Sequence, residues 1–218
     1  MSRTKPNRRT VLAAMGLGLA TVGCGSTEAP NGRPVPSCVL TPEGTEGPYY
    51  VDTALERRDI REGRPGVPVE LRVTVVNASS CAPLQDAVVD IWHADAHGVY
   101  SGVRDGDESR FLRGIQHTDQ AGVATFSTVF PGWYDNRTVH IHVKVHLGGD
   151  EIHTGQLYFA EEVIAAVAAI PPYVERTEAR IDNDGDFLFP RGGPRSLLAL
   201  TGDPVSGYLA EITMGVTT

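Results

Sequence analysis

Residues 138–147 read TVHIHVKVHL, and this run of ten residues gives the clearest indication of the fold. β-Branched and apolar side chains alternate in it with polar ones, which is the period-two pattern of a β-strand. Side chains two positions apart on a strand share one face, so His140 and His142 present two imidazoles to the same point. Imidazole binds zinc, copper and iron alike. The pattern therefore predicts either a metal site or a pair of histidines on a half-exposed strand.

Shorter segments on both sides of this run repeat the strand pattern. These segments are 69–75, 87–93, 123–129 and 151–159. Only residues 161–170 favour a helix, with acids in the first turn and a double proline after the end. Many short strands separated by turn sequences predict an all-β fold. The expected architecture is a β-sandwich of mostly antiparallel strands with long active-site loops and one short helix.

Composition limits the number of domains and the class of partner. A chain of 218 residues with 41% hydrophobic and 21% charged residues has room for one large globular domain. Its 24 glycines and 15 prolines favour turns over long helices. The formal net charge is −8, and no run of lysine and arginine follows the first ten residues, which argues against nucleic acid as a partner.

The N-terminal residues have the composition of a targeting segment. Residues 1–23 contain four bases, no acids and an apolar stretch too short to span a bilayer, which predicts a signal peptide for export. The arginine pair at positions 8 and 9 resembles a twin-arginine signal, and the alternative is an ordinary Sec signal in which the pair occurs by chance. We expect residues 24–36, rich in Gly, Ser and Pro, to form a flexible tether and residues 37–218 to form the folded domain.

Cys24 follows a run of small residues that resembles the lipobox of bacterial lipoproteins. Lipidation there would make the chain a cell-surface lipoprotein, with membrane contact only through that anchor; without it the exported chain is periplasmic or extracellular. The other two cysteines are Cys38 and Cys81. An isolated pair in an oxidising compartment usually forms a disulfide, so we predict this bond, with two buried free thiols as the alternative.

Two tyrosines and an arginine lie close in sequence to the histidine pair. Tyr100 and Tyr134 each follow a glycine turn, and Arg137 precedes the strand. Each tyrosine taken singly is most simply a packed aromatic residue, but the group together with the histidines indicates a site. Lys144 extends the same strand face and could belong to the rim of the site or be solvated; we expect it to be solvated, and we expect His153 at the surface.

Several short motifs, in this order and spacing, resemble those of the intradiol ring-cleavage dioxygenases. The motifs are TEGPYY at 45–50, VDIWHAD at 89–95, GVYS at 98–101, FLRG at 111–114, PGWY at 131–134, RTVHIH at 137–142 and TGQLYF at 154–159. The likeness is to the exported, short members of the family, which lack a helical N-terminal region. It implies a β-sandwich enzyme that acts on catechol-type diols and O2.

The resemblance also implies roles for individual residues. The implied cofactor is a non-haem Fe(III) ion with Tyr100, Tyr134, His140 and His142 as its ligands. A hard ferric ion prefers anionic oxygen, and its charge would ionise the phenols at neutral pH. The implied reaction splits the ring between the two hydroxyls and yields cis,cis-muconate-type diacids.

The same likeness assigns a second role to the ligand Tyr134 and roles to four residues around the ligands. Tyr134 is the ligand that leaves to admit the diol and then acts as a base. Arg137 stabilises negative charge on the substrate, Gln156 lies beside the metal, and Tyr49 and Tyr50 line the substrate mouth. Two alternatives stay open: a non-catalytic sandwich that binds aromatic or sugar ligands, and a zinc or copper protein that uses His140 and His142.

Overall fold

The computed structural model describes Cys38 and residues 40–218. The predicted signal peptide, the tether and the candidate lipidation site at Cys24 lie outside these residues. None of the helices in the described part of the chain has the length and apolar character that a membrane span requires.

Eight β-strands and one α-helix form most of the regular structure in the described residues. The strands are β1 (Pro68–Asn77), β2 (Val88–Trp92), β3 (Arg113–His117), β4 (Val123–Val129), β5 (His140–Leu147), β6 (Asp150–Tyr158), β7 (Ala199–Asp203) and β8 (Gly207–Val216), and the helix is α1 (Glu161–Ala168). One sheet has the order β4-β1-β8-β7 and the other β3-β2-β5-β6. Among these strands only β1 and β8 pair in parallel, which confirms the mostly antiparallel all-β fold.

Three of these strands, β3, β7 and β8, are not among the predicted segments. β3 (RGIQH) has a single β-branched residue, Ile115, and forms because it pairs with β2 along its whole length. β8 fills the centre of its sheet between β1 and β7. From Ala210 to Met214 its apolar residues alternate with Glu211 and Thr213, a strand pattern that the prediction did not include. The predicted helix at 161–170 ends at Ala168, before the two prolines.

Strand β5 separates the hydrophobic core from the candidate site. Its odd-numbered residues, from Ile141 to Val145, are fully buried in the core between the two sheets. The even-numbered residues His140, His142 and Lys144 point to the opposite face, as strand geometry requires. Loops cover that face too, so six consecutive residues of the strand are buried. The strand thus presents imidazoles to an enclosed space rather than to solvent.

The start of the domain is fixed at two points. Cys38 and Cys81 form the predicted disulfide, with their Cα atoms 5.6 Å apart. The Thr41 N–H then donates to the carbonyl of Gly215 in β8 at 2.9 Å. These contacts direct the following residues, 44–50, across the outer face of the second sheet.

Candidate metal and substrate site

The structure brings together the four side chains predicted as metal ligands. The hydroxyl oxygens of Tyr100 and Tyr134 are 3.0 Å apart. The Tyr134 oxygen is 3.0 Å from Nε2 of His140, and that nitrogen is 3.1 Å from Nε2 of His142. Tyr100 and both histidines are almost completely buried, whereas Tyr134 is half-buried.

Two tight turns deliver the tyrosines to the histidine strand. Before Tyr100, the Gly98 N–H donates to the Asp95 carbonyl at 2.9 Å, and Gly98 has a left-handed backbone with φ of 80°. After Tyr134, the Arg137 N–H donates to the Tyr134 carbonyl at 2.7 Å. The two residues inside that second turn also have positive φ. Both phenols therefore come from loops that a short-range pattern of turn residues defines.

The hydrogen bonds of His140 define the tautomer of its ring, and therefore which nitrogen can accept a hydrogen bond within the cluster. Its Nδ1 lies 2.7 Å from the Thr138 carbonyl, which only accepts, so Nδ1 carries the proton. Nε2 of the neutral ring then has one lone pair, which faces both the Tyr134 hydroxyl and Nε2 of His142. Nδ1 of His142 is buried and has no hydrogen-bond partner. The cluster therefore contains more lone pairs on nitrogen and oxygen than hydrogen atoms that could form hydrogen bonds with them.

Burial keeps every member of the cluster neutral in the protein alone. Desolvation raises the pKa of Tyr100 well above its ordinary value and raises the pKa of Tyr134 to about 12. Desolvation likewise lowers the pKa of His140 to about 3 and that of His142 well below the usual range. Two neutral imidazoles and two phenols that ionise only beside a positive charge form a donor set suited to a metal cation.

The donor set fits a ferric ion. Atoms that share one ion at bond lengths of roughly 2.0 Å lie about 3 Å from each other, which agrees with the spacing found here. No group of three or more His, Cys, Asp or Glu side chains converges within the described residues, so the phenols are essential to this fit. Phenolate oxygen favours a hard trivalent cation over zinc or copper.

Arg137 lies beside the cluster in a buried network of hydrogen bonds. Its Nη2 donates to Oε1 of Gln156 at 2.6 Å, and its Nε donates to Oδ2 of Asp186 at 2.8 Å. The Tyr158 hydroxyl also donates to Gln156 Oε1, at 2.8 Å. Gln156 in turn donates from Nε2 to the Thr45 carbonyl at 3.0 Å. The guanidinium is therefore held in one orientation by partners that are themselves fixed.

The turn at residues 182–186 has a role that its sequence does not reveal. Asp186 is buried and accepts hydrogen bonds from the backbone N–H groups of Thr138, Leu188 and Phe189, in addition to Arg137. The Asp-rich pattern DNDGD indicates only a turn. Since its partners Arg137 and Thr138 are 49 and 48 residues away in the chain, no local signal identifies Asp186 as a residue that orients the site.

One row of side chains crosses the second sheet beneath the site. Strand register places Trp92 opposite both Arg113 and His142, and His142 opposite Gln156. The indole of Trp92 stacks on the His142 ring at 4.9 Å with an interplanar angle of 6°. The buried Arg113 guanidinium donates to the Tyr49 carbonyl at 2.8 Å. Trp92 and Arg113 therefore support the histidine and the loop above it, and both are absent from the predicted site.

Residues 44–50, which we call the covering segment, form one wall of the site. Tyr49 stacks on Tyr100 at 4.7 Å and meets Tyr134 edge-on at 5.7 Å. Gly47 approaches so closely that an added Cβ would lie 3.2 Å from Cε1 of His142. Tyr50 lies further along, against Trp92 at 4.7 Å. The structure thus places Tyr49 and Tyr50 beside the cluster, and Tyr49 contacts both Tyr100 and Tyr134.

The expectations for Lys144 and His153 are wrong. Lys144 is buried, and its Nζ lies 2.5 Å from a carboxylate oxygen of Glu46 and 2.7 Å from one of Glu151. The covering segment supplies Glu46 and shields the lysine from water. His153 is buried because the chain near residue 44 pairs with β6, where the Gly44 N–H donates to the Thr154 carbonyl at 2.9 Å.

Asp90 provides a pH-dependent contribution to stability. Its carboxylate is buried and accepts a hydrogen bond from the Tyr50 hydroxyl at 3.1 Å. Desolvation raises the pKa of Asp90 from 3.8 to about 6, with the Tyr50 hydrogen bond opposing the shift. The folded state binds more protons than the unfolded state between these two values, so stability falls as pH rises through this window.

We expect Asp90→Asn to stabilise the protein by about 2 kcal/mol at neutral pH.

Urea unfolding at several pH values measures this effect. The wild-type free energy of unfolding should fall from pH about 4 to about 6 more steeply than that of Asp90→Asn. Asp105→Asn, at an exposed position, is the matched control and should follow the wild type. Parallel curves for the wild type and Asp90→Asn would show that Asp90 is ionised in the folded state throughout this range.

Comparisons with known proteins identify the family. A family model described as Dioxygenase matches residues 45–183, which is more than half of the chain. The chain belongs to the intradiol ring-cleavage dioxygenase family. One curated relative is chlorocatechol 1,2-dioxygenase of Cupriavidus pinatubonensis, 29% identical over 138 residues. The match covers 52% of this chain and 52% of that enzyme, so the chain spans about half the length of this relative.

Solved structures extend the similarity to most of the domain. The intradiol ring-cleavage dioxygenase from Tetranychus urticae superposes with a TM-score of 0.79 at 33% identity, covering 83% of this chain and 95% of that one. The dioxygenase domain of a dioxygenase carbohydrate-binding fusion from Streptomyces sp. SirexAA-E gives a TM-score of 0.64 at 29% identity, covering 83% and 99%. The shared fold is the two-sheet sandwich described above.

Proposed function

We propose that this chain is an exported non-haem Fe(III) dioxygenase that cleaves catechol-type diols between their two hydroxyls. Its products would be cis,cis-muconate-type diacids containing both atoms of O2. The observation that carries the proposal is the buried cluster of two phenols and two imidazoles whose donor atoms lie about 3 Å apart. Membership of the dioxygenase family and the name of the chlorocatechol-cleaving relative support the same reaction.

Tyr100, Tyr134, His140 and His142 would hold the iron. A ferric ion held there would act as a Lewis acid towards the diol and would make its ring reactive towards O2. Tyr134 is the least buried of the four and borders a cavity shared with Arg137, so it is the ligand with room to move aside. Once displaced, its phenolate oxygen accepts a proton from a diol hydroxyl.

Arg137 would stabilise the negative charge that develops on the diol. Arg137 is 8% exposed, and a fixed positive charge that is largely withdrawn from water interacts more strongly than one in solvent. Asp186 and Gln156 hold it in place before substrate arrives, so no reorganisation is needed during the reaction. Gln156 joins this group to the covering segment through the Thr45 carbonyl.

The shape and chemistry of the mouth suit a flat aromatic substrate. Tyr49, Tyr100 and Tyr134 form adjoining aromatic surfaces through one stacked and two edge-on contacts. Such surfaces favour a planar ring over an aliphatic or sugar ligand. At the far end of the covering segment, the Tyr50 hydroxyl donates a hydrogen bond to Asp90 in β2 and so ties that end to the sheet.

Export is supported by the disulfide and by the N-terminal sequence. A bond between Cys38 and Cys81 persists in oxidising compartments outside the cytoplasm. Residues 1–23 have the composition of a signal peptide, and Cys24 stands where a lipid anchor would attach. We propose a location at the cell surface, or in the periplasm or the medium if Cys24 is not lipidated.

Oxygen uptake tests the reaction directly. The iron-loaded protein should consume O2 with catechol-type diols, and mass spectrometry should find products heavier than each diol by two oxygen atoms. The same protein should be coloured through charge transfer from phenolate to iron. A zinc or copper protein would lack that colour, and a non-catalytic binding protein would retain diols unchanged; either result would overturn the proposal.

A further inference from the structure

The two loops that carry the tyrosines have the same local arrangement. Tyr100 comes two residues after Gly98, and Tyr134 comes two residues after Gly132. The N–H groups of both glycines donate to one acceptor, the Asp95 carbonyl, each at 2.9 Å. The loops are therefore joined to each other just before the point where each presents its phenol to the cluster.

A single guanidinium, that of Arg176, lies against both glycines. A Cβ added at Gly132 would lie 2.5 Å from Nη1 of Arg176, and a Cβ at Gly98 would lie 3.0 Å from Nη2. Nη1 donates to the Ala96 carbonyl at 3.3 Å, and the guanidinium lies over the Trp133 ring at 4.4 Å. The planar cation thus packs between the loop before Tyr100 and the loop before Tyr134.

Arg176 is held in place by buried contacts rather than by its ion pair. It follows a 3₁₀ turn, Tyr173–Glu175, and the buried Tyr173 hydroxyl donates to the Phe130 carbonyl at 2.5 Å. The Arg176 side chain is only 5% exposed, whereas its acidic neighbour Glu178 is 69% exposed and 3.6 Å away. An exposed ion pair of that length contributes little, so the buried contacts determine where the guanidinium lies.

We infer that Arg176 is a positioning residue that fixes the separation of the two tyrosine hydroxyls. The inference rests on the proposed function, because that separation matters only if both oxygens bind one ion. A planar cation that contacts both loops restricts their relative movement, and the phenol oxygens 3.0 Å apart are the result. Groups that orient metal ligands from outside the coordination sphere typically change metal affinity when they are removed.

The test compares Arg176→Met with Arg180→Met in the full chain. Methionine keeps an apolar stem and removes the planar cation. Arg180 lies four residues on and pairs with Glu161, away from both tyrosine loops, so it is the matched control. We expect Arg176→Met to bind Fe(III) about ten-fold more weakly in competition with a chelator. Its phenolate-to-iron absorption per bound iron should also shift and weaken, whereas Arg180→Met should match the wild type.

The outcomes separate this inference from the proposed function. If the iron-loaded wild type shows no phenolate-to-iron absorption, the proposed function fails. If the wild type shows it and Arg176→Met has the same affinity and spectrum, only the role of Arg176 fails, even where thermal stability falls. Arg176→Lys keeps the charge without the planar group and should give the same spectral change to a smaller extent. A wild-type spectrum and affinity in Arg176→Lys would also overturn the inference.

Discussion

Tyr134→Phe should bind iron more weakly and lower the rate of diol cleavage by about 10²- to 10⁴-fold. The substitution removes the oxygen that lies 3.0 Å from both Tyr100 and His140. It deletes an anionic ligand and, in the proposed reaction, the base that accepts the diol proton. The ring itself remains, so its edge-on contact with Tyr100 at 5.1 Å is kept and the fold should be unaffected.

Two measurements check this result. Oxygen uptake gives the rate, and the visible spectrum of the iron-loaded variant should lose the part of the absorption that comes from Tyr134. Tyr208→Phe removes a phenol oxygen from a residue of the core between the sheets and should leave rate and spectrum unchanged. Cleavage at the wild-type rate in Tyr134→Phe would exclude Tyr134 from the mechanism.

Asp186→Asn should destabilise the protein by about 3 to 5 kcal/mol, the usual cost of breaking a buried ion pair. Each carboxylate oxygen accepts two hydrogen bonds. In either orientation of the asparagine amide, its NH2 group would therefore face two donors. Arg137 would then lose its buried counter-charge. Because Arg137 would also lose its fixed orientation, the rate of diol cleavage should fall by about 10- to 100-fold.

The stability of the protein at acid pH provides a second measurement for this prediction. Burial alone would raise the pKa of Asp186, but Arg137 and the backbone donors together hold it below the ordinary 3.8. A depressed pKa stabilises the fold above the unfolded value, and that contribution disappears as pH falls through the folded value. The stability of Asp186→Asn should therefore change less than that of the wild type below pH about 4.

Asp184→Asn is the control for this variant, because Asp184 is exposed in the same turn. It should unfold at the wild-type urea concentration and keep the wild-type rate. If Asp186→Asn had the same unfolding midpoint and rate as Asp184→Asn, Asp186 would have no part in orienting Arg137.

The sequence predicts those parts of the fold and site that depend on neighbouring residues. Alternation in residues 138–147 predicts β5, and the same alternation places His140 and His142 on one face, as the structure has them. The motifs around Tyr100 and Tyr134 carry turn residues, so these loops are also recognisable. Their convergence with the histidines was expected from the resemblance to a family, because spacing alone leaves the partners of a loop residue undefined.

The remaining features depend on contacts between distant segments. Asp186 meets Arg137 across 49 positions, and Arg113 meets the Tyr49 carbonyl across 64. Lys144 is buried only because the covering segment lies over it and supplies Glu46. A polar residue on a strand face has the same pattern whether water or another segment covers it.

The hydrogen bond from Thr41 to Gly215 has a consequence for the closure of the pocket. The wall that lies over His142 begins at β8, the last of the eight described strands in chain order, and β1 also has β8 as its parallel neighbour. Closure of the pocket therefore requires pairing between opposite ends of the described domain, and separating those ends would open the wall beside His142.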